Sequence, residues 1–404
     1  MQAAQAEPSL KPDFAALQGV GQVAIAVSGG SDSMALLRLL LDWAKPRQNP
    51  PIISVLTVDH GLRAGSATEA QRVAQWCKGL NLCHLTLTWT GVKPTTGIQA
   101  KARASRYELM TNWCIENDVP VLLTAHTADD QNETVTMRQT RTSSARSLAG
   151  IWPAREWNGI KIVRPVLDQK REALRNYLKS VGQDWLDDPS NENRNFERVR
   201  VRQDNAGSLK DLGAIAMAAQ IEVRQAEEFA CRWLDAHVTI SDLGLLTCAH
   251  ETLVDLSTLQ ADAVLLNLLR LTGGRPPPER AHRQNLLEWL AGDMPGRRTL
   301  GGAVFSKRKS VLAVAREAGR IGPAEVVILK GTPIIWDGRF RVEGPSGSVV
   351  CALGAWGDLP HKELPQFLRL GLPAAMIAGK LAFVPQLLPN RLFNCEFIKD
   401  GVRG

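Results

Sequence analysis

The stretch VAIAVSGGSDSMALLRLL, Val23 to Leu40, limits the fold more than any other part of the chain. A short apolar run ends in a glycine pair, and helical apolar periodicity follows after only a few polar residues. A strand that turns through glycines into a helix begins a β-α-β unit. It presents helix-start N–H groups just beyond the strand's carboxyl end. The pattern recurs downstream. IISVLTVDH (52–60) reads as the next strand. The segment 66–80 reads as a helix, with Ser66 and Glu69 at capping-box spacing and Val73, Trp76, Cys77 and Leu80 on one face. Alternation over 82–89 reads as a strand, 98–116 as a long helix, 119–125 as a strand, and a further helix starts near Asp129. Repeated β-α units predict an α/β fold with a doubly wound, mainly parallel sheet. The region from about 210 to 292 is helical in pattern, broken at GGRPPPER (273–280), and short strands and turns follow 324. The expected organisation is an α/β domain carrying the chemistry over 1–205, a helical connecting region over 206–322, and a small β-rich domain over 323–404.

Ligands of such sheets bind beyond the carboxyl ends of the strands. Three polar clusters fall at those ends: Ser28, Gly29, Gly30, Ser31, Asp32 and Ser33 around the glycine pair; Asp59 and His60; and His126 to Asp130. The glycine-rich turn and helix start suit phosphate, with the serines as hydroxyl donors. The G-x-x-x-x-G-K-[ST] loop is missing, which disfavours transfer of a γ-phosphate. Asp32 beside phosphates is repulsive unless it faces a cation, which points to Mg²⁺. In AHTADDQNET (125–134) a helix starting near 126–129 puts His126, Asp130 and Glu133 on one face, with Asp129 and Asp130 in the first turn. Acids there also cap a helix; three acids and a histidine exceed what capping needs. Lys101, Arg103 and Arg106 lie within two turns; they read either as a basic solvated helix face or as a functional cluster in which Arg106 pairs with those acids or fixes a base or phosphate.

Composition locates a second feature. Of the chain's net +7 over 404 residues, the segment 138–202 holds 14 basic and 8 acidic residues, a net +6. Its end, NENRNFERVRVR, carries Arg198, Arg200 and Arg202 at alternate positions, suited to a basic strand or an extended arm on a phosphate backbone. The seven cysteines form no C-x-x-C pair, which argues against a zinc site or a disulfide framework. No apolar stretch reaches about 18 residues and no secretory signal is seen, so a reducing cytoplasm is the expected setting.

Together these residues resemble the tRNA(Ile)-lysidine synthetases of the PP-loop (N-type) ATP pyrophosphatase superfamily. S-G-G-x-D-S is met by Ser28 to Ser33, and the narrower marks are VDHGLR (58–63), ARASRYELM, AHTADDQNET, RPVLDQKR (164–171) and WLDDPSNENRNFERVRVR. The resemblance implies ATP and Mg²⁺ as cosubstrate and cofactor, and L-lysine and an isoleucine tRNA with a CAU anticodon as substrates. A homodimer is compatible with it. It implies that Arg106, Asp130 and Glu133 recognise the target cytosine, that Asp32 contacts metal or the lysine amine, and that Arg141, Arg198, Arg200 and Arg202 meet RNA. One departure stands out. In QTRTSSARSLAGI (139–151), Thr142, Ser144 and Ser147 replace three family glycines, while Arg141, Ser143, Leu148 and Gly150 remain. Two other readings are a tRNA-thiolating relative, disfavoured by the missing cysteine pairs, and an ATP- and tRNA-binding protein without turnover.

Overall fold

The computed structural model describes residues 10–61, 65–91, 96–142, 144–187, 200–201, 212–273, 278–320, 325–354 and 364–398. The chain divides into two compact units, Met1–Glu222 and Val223–Gly404.

The first unit is built on a six-stranded sheet. Its elements are β1 (Gln22–Ala26), α1 (Ser31–Ala44), β2 (Ile52–Asp59), α2 (Ser66–Gly79), β3 (Cys83–Thr88), α3 (Ile98–Glu116), β4 (Val121–Leu123), α4 (Ala128–Gln139), α5 (Ala145–Leu148), β5 (Ala154–Trp157), β6 (Ile160–Val163) and α6 (Arg171–Ser180). The strand order is β3-β2-β1-β4-β6-β5. All neighbours are parallel except the edge hairpin β5–β6. Alternation assigns the two faces. Val23, Ile25, Val121, Leu123 and Val163 join α1, α2 and α6 in one core. Ala24, Leu122 and Ile162 join Tyr107, Met110 and Cys114 of α3 in the other. Strands buried on both faces read as unbroken apolar runs, which is why they were legible in the sequence. The doubly wound, mainly parallel sheet is as expected. Because the chain winds from β1 to one side and returns through β4 on the other, the crevice at the carboxyl ends of β1 and β4 is the topological switch point.

α2 begins one residue earlier than the capping-box reading requires, with Gly65 at its N-cap and no side-chain cap bond from it. The helix Gly213–His237 follows, and the boundary between the units falls within it.

In the second unit the helices Thr258–Leu271 and Arg280–Ala291 share a core with a five-stranded antiparallel sheet. Its strands are Thr239–Ile240, Leu246–Ala249, Val311–Arg316, Ala303–Arg308 and Gly296–Leu300 in spatial order. These strands lie among the helices that the sequence pattern predicts over 206–322. After 324 come a four-stranded and a three-stranded antiparallel sheet around Trp336, Phe340 and Phe383, in line with the β-rich reading. Among the described residues no helix is long and apolar enough to cross a membrane.

Candidate active site

The turn after β1 is fixed from both sides. Gly29 has φ +87°, and a Cβ there would lie 2.7 Å from Leu186 Cδ1, so both conformation and packing demand glycine. The N–H of Leu186 donates to Gly29 O at 2.9 Å. The helical ladder of α1 begins with Met34 N–H on Gly30 O, so the N–H groups of Ser31, Asp32 and Ser33 have no acceptor within the helix. They form an anion-binding helix start. Ser33, predicted as a phosphate donor, spends its hydroxyl inside the turn: Oγ donates to Gly30 O at 2.9 Å and accepts from Ser28 N–H at 3.2 Å. Ser31 Oγ donates to Asp32 Oδ1 at 3.2 Å.

Across the crevice, α4 starts at Ala128, so His126 lies in the loop before it rather than on its face. Thr127 is the N-cap and forms a capping box with Asp130. Asp130 Oδ2 accepts from Thr127 N–H and Oγ1–H, both at 2.9 Å. Capping therefore explains one of its oxygens. The other faces a residue to which the sequence reading gave no role.

That residue is Arg171, first in α6. Its Nε donates to Asp32 Oδ2 at 2.8 Å and its Nη2 to Asp130 Oδ1 at 3.4 Å. Its Nη1 lies 3.9 Å from Glu133 Oε1. Its backbone N–H donates to Asp129 Oδ2 at 2.8 Å, so Asp129 caps α6. Glu133 is 1% exposed. One guanidinium thus joins the nucleotide-loop acid to the acids of α4. Burial pulls the Arg171 pKa down, but Asp32 and Asp130 more than offset it and keep the group charged. Burial pushes the Asp130 carboxyl up, but Arg171, His126 and Thr127 outweigh it and hold it below the usual carboxylate range. Arg175, one turn on, donates to Ser31 Oγ at 3.3 Å.

Arg106 does not take the acid-pairing role considered for it. Its Nε and Nη2 donate to His60 Nε2 at 3.3 Å. Burial lowers its pKa, and the nearby Arg103 adds to this. Arg103 Nη2 lies 3.4 Å from His126 Nε2, and Thr124 Oγ1 lies 3.2 Å from His126 Nδ1. α3 therefore ties the ends of β2 and β4. Asp59, at the end of β2, accepts from Gly61 N–H at 2.8 Å. Arg141 is exposed, as is Arg200, which has helical rather than extended backbone. Arg198 and Arg202 lie outside the described residues.

The segment after α4 is clamped to it. Gln131 exchanges two bonds with Ile151, at 2.6 and 3.1 Å, and Arg138 Nη1 donates to Ser147 O and Gly150 O. Where the three family glycines are replaced, Ser144 N–H and Thr142 Oγ1 lie 3.2 Å apart, and Ser144 Oγ donates to Ser147 Oγ at 3.1 Å. Ser144 has φ −70°, and neither Thr142 nor Ser147 has positive φ. None of the three positions uses a conformation that needs glycine. Gly150, which the sequence retains, does, with φ +61°.

The PP-loop domain family matches residues 3–206, about half of the chain. A tRNA(Ile)-lysidine synthase from Ruegeria pomeroyi is 34% identical over 387 residues, which span 92% of this chain and 88% of that protein. Another, from Mesorhizobium japonicum, is 36% identical, covering 90% of this chain and 81% of its relative. The chain belongs to the tRNA(Ile)-lysidine synthase family. It is a PP-loop enzyme of tRNA modification that uses ATP. Within this lysidine synthase family the missed residue, Arg171, ends the RPVLDQKR stretch; the only sequence signal for it was that stretch and the excess of positive charge around it.

Proposed function

We propose that this enzyme joins L-lysine to C2 of cytidine 34 in the CAU anticodon of an isoleucine tRNA. The C2 oxygen attacks the α-phosphorus of ATP and diphosphate leaves. The side-chain amine of lysine then attacks C2, loses its extra proton, and AMP leaves with the oxygen. The observation that carries the reading is the shared Arg171: Asp32 of the nucleotide loop and Asp130 of the acid helix bind one guanidinium. A nucleotide-activating loop and a base-reading acid pair so joined suit transfer of an adenylyl group onto a base.

The residues fit these roles. First-turn N–H groups of α1 suit the negative charge that builds on departing diphosphate. Ionised Asp130 and buried Glu133 suit the N4 amino group of cytosine, the donor that uracil lacks. Lysine's amine, with an ordinary pKa of about 10.4, must shed a proton before attack, and a carboxylate-lined crevice suits binding its ammonium form. Among the described residues no three His, Cys, Asp or Glu side chains converge as a metal cage. Asp32 as one carboxylate beside phosphates and water is what Mg²⁺ commonly accepts. Bound there, Mg²⁺ would offset charge on the diphosphate.

Cys77 and Cys114, in the two cores of the sheet, do not suit the nucleophile that the thiolation reading needs. Burial pushes Cys77 up to about 11 and Cys114 up to about 12. The test is AMP formation. Incubation with ATP, Mg²⁺ and CAU-anticodon isoleucine tRNA should release diphosphate, and AMP release should require lysine. AMP formation independent of tRNA would contradict the reading.

A further inference from the structure

Arg171 lies outside the nucleotide loop and outside the acid motif, yet it touches both. Its placement follows from the fold. Leu174 and Leu178 of α6 are fully buried in the core shared with α1, which brings the first residue of α6 between the starts of α1 and α4. Asp129 then pins that residue by its backbone. The side chain is 18% exposed, so its fork is shielded but reachable from the crevice. A planar guanidinium presents several N–H donors in fixed directions, and here three of its nitrogens meet three carboxylates. Lysine has a single nitrogen on a flexible stem and cannot hold Asp32 and Asp130 in one geometry.

We infer that Arg171 is the positioning residue that sets the nucleotide half of the site in register with the acceptor half, resting on the function proposed above. It does so by fixing Asp32 against Asp130 and Glu133. The same acids would spring apart by mutual repulsion without a cation between them. Arg171 therefore sets the approach of the base to the α-phosphorus more than the affinity for either substrate. Near-attack geometry is steep in its effect, and an error of about 1 Å costs on the order of 10²-fold in rate.

The test compares wild type with Arg171→Lys and Arg171→Ala, reading diphosphate release in a single turnover without lysine, lysine transfer, and binding of ATP and tRNA separately. Arg171→Lys keeps the charge and the backbone bond to Asp129, so it serves if the alanine variant fails to fold. The expected result is a loss of on the order of 10²-fold in kcat for diphosphate release in Arg171→Lys, with both affinities within about threefold. Added guanidinium should restore about tenfold or more to folded Arg171→Ala and nothing to Arg171→Lys. Turnover of Arg171→Lys within about threefold of wild type, or a loss lying wholly in KM, would overturn the inference. So would a folded alanine variant that guanidinium leaves unchanged. Wild type in the same assay reads the function itself: if it transfers lysine, that function stands whatever the variants do. A wild type inert in both steps contradicts both.

Discussion

At the scale of single residues, Asp130 does two things with two oxygens. Oδ2 closes the cap of α4 through Thr127, and Oδ1 faces Arg171. Asp130→Asn preserves the shape, removes the charge and turns one acceptor into a donor. It should leave the fold intact and cut lysine transfer by about 10²-fold or more, checked by labelled-lysine incorporation beside circular dichroism. The same residue gives a pH dependence with a definite sign. A carboxyl held below its unfolded pKa favours the folded state above that unfolded value. The benefit is lost as pH falls through the folded value. Acid unfolding of wild type below about pH 4 should therefore be less steep in Asp130→Asn. Gly150 shows strain avoided rather than charge placed. An alanine Cβ there would fall 2.4 Å from Gln131 Oε1 at φ +61°. Gly150→Ala should cost about 1–3 kcal/mol and lower Tm by several degrees in thermal unfolding.

At the scale of elements, three helix starts converge: Ser31 of α1, Ala128 of α4 and Arg171 of α6. Their positive ends favour the carboxylates gathered there and the phosphate groups the loop is suited to hold. The segment 142–147 is a separate matter. The hydroxyls of Thr142, Ser144 and Ser147 bond to one another, and none of these three residues has positive φ, so restoring glycine at them removes bonds and adds freedom to the unfolded chain. The triple change Thr142→Gly, Ser144→Gly and Ser147→Gly should lower stability by about 1–2 kcal/mol and leave turnover within about threefold. A rise of about tenfold or more would mean that the hydroxyls obstruct the site. The β-α alternation of this unit was legible because buried parallel strands are contiguous apolar runs and glycines mark their ends. The start of α4 falls within the range 126–129 that the sequence allows, and the Thr127 cap fixes it at Ala128, which leaves His126 outside the helix. Arg171 was not legible as a site residue: 139 positions separate it from Asp32, and only the packing of α6 on α1 brings them together. The strands at 296–316 are not legible because Arg297, Arg298 and the turn glycines Gly301 and Gly302 mask a three-stranded meander whose middle strand is buried.

At the scale of the molecule, charge and chemistry are adjacent in sequence. The net +6 segment 138–202 contains Arg171 and ends in the alternating arginines. Arg171 is spent on acids, whereas Arg141 and Arg200 are exposed. If the strip meets RNA backbone, each arginine removed should release fewer counterions. Arg198→Ala with Arg200→Ala should weaken tRNA binding and reduce the slope of log affinity against log salt by about 2. An unchanged slope would remove these residues from the interface. The central claim is that one crevice activates a cytosine with ATP and passes it to lysine. It is tested most directly by incubating the enzyme with ATP, Mg²⁺, radiolabelled lysine and unmodified CAU-anticodon isoleucine tRNA, then mapping the label by nuclease digestion. The account predicts label on the anticodon cytidine, with one AMP formed for each lysine incorporated and none when uridine replaces that cytidine. Binding of tRNA and ATP without label on the RNA would contradict it.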